Sequence, residues 1–133
     1  LDVLYSSVSP ELLKTEIDTC WVNVAGVEPS AYIEKYSGRS PVVHLKDFVM
    51  NGKGTGQKYK LIGIDDDKGG DADDEEDFAF RPVGSGVQDF KAILASAEKA
   101  GTEWVVVEQD SPSMGKTTLE SAEMSINYLK SIQ

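Results

Sequence analysis

Apolar positions along the chain follow two alternating rhythms, one of helical period and one of strand character. The stretch "SPELLKTE" sets Ser9 at an N-cap, Pro10 at the first helical position and Glu11 in the first turn, which predicts a short helix. The run "IDTCWVNV" then reads as a strand over residues 17–24, rich in β-branched and aromatic side chains. Helical spacing returns in "EPSAYIEKYSG", where Tyr32, Ile33 and Tyr36 share a face and Gly38 is a stop. The next strand is "PVVHLKDF", whose continuous apolar start suggests cover on both faces.

Residues 49–81 interrupt this rhythm. "NGKGTGQ" is rich in glycine, "KYKLIGI" has the composition of a short strand, and "DDDKGGDADDEED" is too charged to pack, so a flexible acidic insertion is expected at about 49–80. Regularity resumes with "VQDFKAILASAEKAG", which puts Phe90, Ile93, Leu94 and Ala97 on one face and ends at Gly101. "EWVVVEQD" predicts a strand over Glu103–Gln109. In the final segment Thr117 and Glu120 stand in capping-box register, with Leu119, Ala122, Ile126 and Leu129 as the expected buried stripe. Strands separated by helices require parallel pairing through crossovers, hence an α/β layer or barrel.

Composition narrows the choices. The 133 residues carry a formal charge of −10, with much of the acid between Asp65 and Asp77, which argues against a nucleic-acid partner. No apolar run is long enough to cross a bilayer, so no membrane partner is expected. Cys20 is the only cysteine, which excludes an internal disulfide or a CxxC metal site and fits a cytoplasmic setting. The opening "LDVLYSS" has neither an initiator methionine nor a signal peptide, and the chain reads as a segment cut from something longer.

Each strand candidate delivers one side chain able to bind metal or move a proton: Asp18, His44 and Glu108. In parallel α/β folds, sites gather at the carboxyl ends of strands. Taken singly, a strand histidine is ordinarily a hydrogen-bonded core residue and an isolated aspartate an N-cap. Glu108 is harder to explain that way, because a carboxylate closing four apolar residues is costly to bury unpaired. As a set, two carboxylates and an imidazole suit one divalent ion: Mn²⁺, Mg²⁺, Co²⁺ or Zn²⁺. Other polar motifs are weaker. "GSGVQD" reads as a turn with Asp89 capping the next helix; "GKGTGQK" lacks phosphate-loop spacing, and the acidic run lacks EF-hand order.

The stretches "IDTCWV", "HLKD", "PVGSG" and "WVVVEQD", with the segments around them, resemble the C-terminal half of the sugar phosphate isomerase/epimerase family, xylose isomerase-like TIM barrels that include myo-inosose dehydratase and ketose epimerases. The likeness covers nearly the whole chain outside about 49–79. It implies that residues 1–133 are the C-terminal portion of one (β/α)8 barrel, holding its last three parallel strands and their helices. It also implies one divalent metal held by Asp18, His44 and Glu108, with a further glutamate on a strand before Leu1, and Glu108 doubling as the acid/base at the carbon beside a carbonyl. Trp21 stands where the ketose epimerases have a histidine, and is expected to pack against a sugar face. Lys46 and Asp47 stand where those enzymes have an arginine; Lys46 is expected either to contact a substrate oxygen or phosphate or to be a solvated strand-end lysine. A sugar or polyol (phosphate) substrate follows, with isomerase, epimerase and dehydratase all open and a non-catalytic binding module as the alternative. With open sheet edges on both sides, the fragment alone is expected to be inactive and to self-associate.

Overall fold

A computed structural model describes residues 1–50 and 78–133. Among the described residues ten elements are formed: α1 (Asp2–Ser7), β1 (Glu16–Asp18), α2 (Thr19–Val24), α3 (Pro29–Lys35), β2 (Val42–Leu45), β3 (Asp47–Met50), β4 (Phe78–Arg81), α4 (Phe90–Ala100), β5 (Trp104–Val107) and α5 (Thr118–Ser131). The strands β1, β2 and β5 make a parallel sheet in that spatial order, with Asp18 beside His44 and His44 beside Val106. The architecture is α/β with a three-stranded parallel sheet.

Strand alternation sorts the side chains of this sheet onto two faces. Ile17, Val43 and Leu45 are fully buried in a core with Ile33 and Tyr36 of α3, and Phe90, Ile93 and Ala97 of α4. Glu16, Asp18, Val42 and His44 take the opposite face and stay partly or fully exposed. The continuous apolar start of residues 41–48 therefore has helix cover on one face only.

The helices end as their sequences dictate. Glu28 accepts N–H bonds from Ser30 and Ala31 at the start of α3, Asp89 caps α4 through the Ala92 N–H, and Gly101 closes α4 at φ 78°. The capping box of Thr117 and Glu120 opens α5.

Several elements depart from the expected boundaries. The first helix is Asp2–Ser7, while residues 9–13 form only a turn, in which the Leu12 and Leu13 N–H groups donate to the Ser9 carbonyl. The carbonyls of Tyr5, Val8 and Leu13 are taken by the buried Arg39 guanidinium, which holds this segment in its non-helical path. The expected strand 17–24 stops at Asp18, because that carboxylate accepts the Trp21 N–H and starts α2. The expected strand 41–48 breaks at Lys46. Its second half, β3, pairs antiparallel with β4, which recovers residues 49–50 and 78–80 from the expected insertion. Phe48, Phe78, Phe80, Trp21 and Cys20 cluster there and give this small sheet its own apolar support. "KYKLIGI" and the acidic run Asp65 to Asp77 lie outside the described residues.

The stripe of α5 is rotated from the expected one. Leu119, Ala122 and Ile126 are exposed, and Ser121, Ser125 and Leu129 face inward. On this face the Ser125 hydroxyl accepts the Val83 N–H, and Tyr128 packs so closely on Gly84 that a Cβ on that glycine would lie 2.3 Å from the ring. Among the described residues, no helix is long and apolar enough to cross a membrane.

Candidate metal centre

The polar face of the parallel sheet gathers its charges at the carboxyl ends of the strands. Asp18 ends β1, His44 is the third residue of β2, and Glu108 follows β5 directly, where its N–H donates to the Leu45 carbonyl. One ligand atom each from Asp18, His44 and Glu108 lies within 4.8 Å of the others. Bonds of about 2.0 to 2.4 Å to a shared ion put two donor atoms at most about 4.8 Å apart, so the spacing and the oxygen/nitrogen donor set both fit one divalent cation.

His44 has a carboxylate at each ring nitrogen. Nδ1 lies 2.6 Å from Glu108 Oε2, and Nε2 contacts Glu16 Oε1. An imidazole that binds metal through one nitrogen is ordinarily oriented by a hydrogen bond at the other, and Glu16 stands in that place. The one sequence signal for Glu16 is its two-residue spacing from Asp18, which puts both on one strand face.

Lys46 is not a solvated strand-end lysine. Its side chain is only 4% exposed, with Nζ 2.9 Å from Asp110 Oδ1, 3.6 Å from Glu108 Oε1 and 3.7 Å from Asp18 Oδ2. Burial alone would lower its pKa, but the hydrogen bond to Asp110 and the charges of Asp18, Asp110 and Glu108 outweigh it and hold the ammonium above the usual lysine value. Nζ also lies over the rings of Trp21 and Phe80, 5.5 and 5.0 Å from their centroids. The backbone of Lys46 is fixed on both sides: its N–H donates to Thr19 Oγ1, and its carbonyl accepts from Gln88 Nε2, whose Oε1 takes a bond from Asn23. Thr19 Oγ1 in turn donates to the His44 carbonyl.

Asp18 does two jobs, capping α2 through Oδ1 and facing Lys46 through Oδ2. Burial raises its pKa, opposed by the Trp21 N–H and the Lys46 charge. Trp21 stays partly exposed beside Lys46, with its indole parallel to Phe78. Cys20 is fully buried, and loss of solvation pushes its thiol far above the ordinary range, so it offers no thiolate to this centre.

Asp47 lies behind the site with no exposure at all. Its carboxylate accepts the N–H groups of Phe48, Gly84, Gly86 and Gln88, tying the 82–88 turn to the break between β2 and β3. Burial still raises its pKa in spite of these four donors. The "GSGVQD" turn thus spends three of its N–H groups on an internal carboxylate.

No family model matches the sequence, and no curated protein matches it either. Solved structures do. A sugar phosphate isomerase/epimerase from Parabacteroides distasonis ATCC 8503 superposes with a TM-score of 0.66 at 21% identity, over 97% of this chain and 34% of that one. A second such structure from the same organism gives 0.65 at 19% identity, over 97% and 35%. The chain spans about a third of the length of these proteins, and along nearly all of its own length it has the fold of that third.

Proposed function

We infer that this chain contributes Asp18, His44 and Glu108 to a divalent-metal centre in a sugar or sugar phosphate isomerase/epimerase, as the last three strands of a (β/α)8 barrel. The carrying observation is the convergence of three donor atoms within 4.8 Å from the ends of three neighbouring parallel strands. The P. distasonis structures, described as sugar phosphate isomerase/epimerases, support the same reading.

A divalent ion bound here supplies charge stabilisation to a substrate's neighbouring carbonyl and hydroxyl oxygens. Glu108 is the acid/base: its carboxylate takes the proton from the carbon beside the carbonyl and returns it to a neighbouring position or to the other face. Glu16 holds the His44 ring from the far side. Trp21 offers apolar surface to a sugar ring, and Lys46 offers a fixed positive charge to a substrate oxygen. A dehydratase starts from the same proton abstraction, and product analysis of the whole enzyme separates the two outcomes.

Titration of this chain with Co²⁺, followed by visible absorption, tests the centre. The wild type is expected to bind one ion and His44→Ala to bind at least about tenfold more weakly, as loss of a direct ligand requires. Equal affinity in the two proteins overturns the reading. A non-catalytic binding module is the second reading, and the observation favouring it is that the Lys46 ammonium lies 3.7 and 3.6 Å from two of the same carboxylates. An absence of metal binding even in the full-length parent would select it.

A further inference from the structure

The position of Lys46 carries an inference that rests on the metal-centre reading and goes beyond it. Asp18 and Glu108 each turn one oxygen toward Nζ, at 3.7 and 3.6 Å, while the other Glu108 oxygen faces His44. The ammonium thus stands among the carboxylates expected to hold the ion. It cannot swing away freely, because its backbone is bonded to Thr19 and Gln88 and its ammonium lies over the rings of Trp21 and Phe80. Its shortest contact, at 2.9 Å, is to a third carboxylate, Asp110, which is not one of the three donors.

We propose that Lys46 is the resident counter-ion of this centre, holding Asp18 and Glu108 together in the metal-free protein, and that Asp110 is the positioning residue that retains the ammonium when a divalent cation takes those carboxylates. The reasoning is electrostatic. Two half-buried carboxylates placed to share an ion repel one another until a cation arrives, and a fixed ammonium relieves that repulsion. The same ammonium repels an incoming dication and so weakens its binding. Asp110 offsets this by supplying a negative charge on the far side of Nζ. It lies two residues beyond Glu108, in the bend that follows β5, and from there its Oδ1 reaches Lys46 Nζ.

The test uses Lys46→Met, which keeps the length of the side chain without its charge, and Asp110→Asn, which keeps shape while removing the negative charge. Mn²⁺ affinity and the Mn²⁺-induced rise in melting temperature are measured for both and for the wild type. Lys46→Met is expected to melt below the wild type without metal, to bind Mn²⁺ about tenfold or more tightly, and to gain more from it in melting temperature. Asp110→Asn is expected to bind several-fold more weakly than the wild type. Mn²⁺ affinity in Lys46→Met equal to or below that of the wild type overturns the proposal and leaves the metal centre standing. Failure of both proteins to bind overturns the two together. Should Lys46→Met not fold, unchanged Mn²⁺ affinity in Asp110→Asn is the overturning result.

Discussion

Gly86 shows how closely the site's support is packed. A Cβ at this position would lie 2.3 Å from both Asp47 Oδ1 and the Phe48 carbonyl oxygen, and neither can retreat, since Asp47 is held by four N–H groups. Gly86→Ala is therefore expected to cost about 1–3 kcal/mol, the range for forced overpacking, readable as a lower urea midpoint with an unchanged slope. The Asp47 cradle was not legible in the sequence, where "GSGVQD" reads only as a turn and Asp47 as one more charge after the histidine. What hid it is the tertiary path: the four donors come from residue 48 and from residues 84–88, about forty positions away. His44 and Glu108 were legible because each stands at the end of an apolar strand run, whereas Asp18 stands early in the strand expected over 17–24 and reaches a carboxyl end only because β1 stops there. Glu16 shares a face with Asp18 by alternation, and Asp110 reaches Lys46 from the bend after β5; neither is legible, because single charges near strand ends are ordinarily solvated.

At the level of elements, α5 joins the clearest sequence signal to the least expected packing. Thr117 and Glu120 form the capping box that their spacing predicts, and the Glu120 carboxyl is held below its usual range by the Thr117 N–H and hydroxyl. Thr117→Ala is expected to lower stability by about 1 kcal/mol, measured by chemical denaturation. The depressed pKa of Glu120 fixes the sign of its pH dependence. Its contribution is fully present above the ordinary glutamate value of 4.5 and is lost as pH falls through the lower folded value. The melting-temperature difference between wild type and Glu120→Gln should accordingly hold steady near neutrality and close in acid. A persistent difference well below pH 4 would rule this out. The inward face of α5 could not be read from hydrophobicity, because Ser125 serves there as the acceptor of the Val83 N–H and Tyr128 packs on Gly84, whereas Leu119 and Ile126 lie outside. The same limit explains the break at Lys46: the apolar residues on either side serve two different sheets, and only the bonds from Thr19 and Gln88 mark where one ends.

For the molecule as a whole, the outer strand β5 is the conspicuous feature. Trp104, Val105, Val106 and Val107 are all exposed, Trp104 by 69%, and β5 forms one margin of the parallel sheet. A flat apolar strand with unpaired backbone groups invites pairing with another chain. We propose self-association through this margin, and light scattering is expected to show a mass that grows with concentration. Val106→Lys, which places a charge on the exposed face of this edge strand, should suppress the growth while leaving helix content unchanged. A mass that stays monomeric at every concentration would count against it. The parallel topology itself was legible, because helices alternate with strands along the chain. The antiparallel pair β3 and β4 was not, since its partners flank residues 51–77 and neither reads as a strand by alternation.

The strict division of β2 into inward and outward side chains makes the reading frame of this strand unforgiving. Removing one amino acid between Pro41 and Val43 would keep every hydrogen-bonding group available for pairing yet exchange the two sides, sending the imidazole into the oily layer beneath the helices and leaving Val43 and Leu45 to water. Insertions and deletions should therefore be far less tolerated over these few positions than conservative replacements at any one of them.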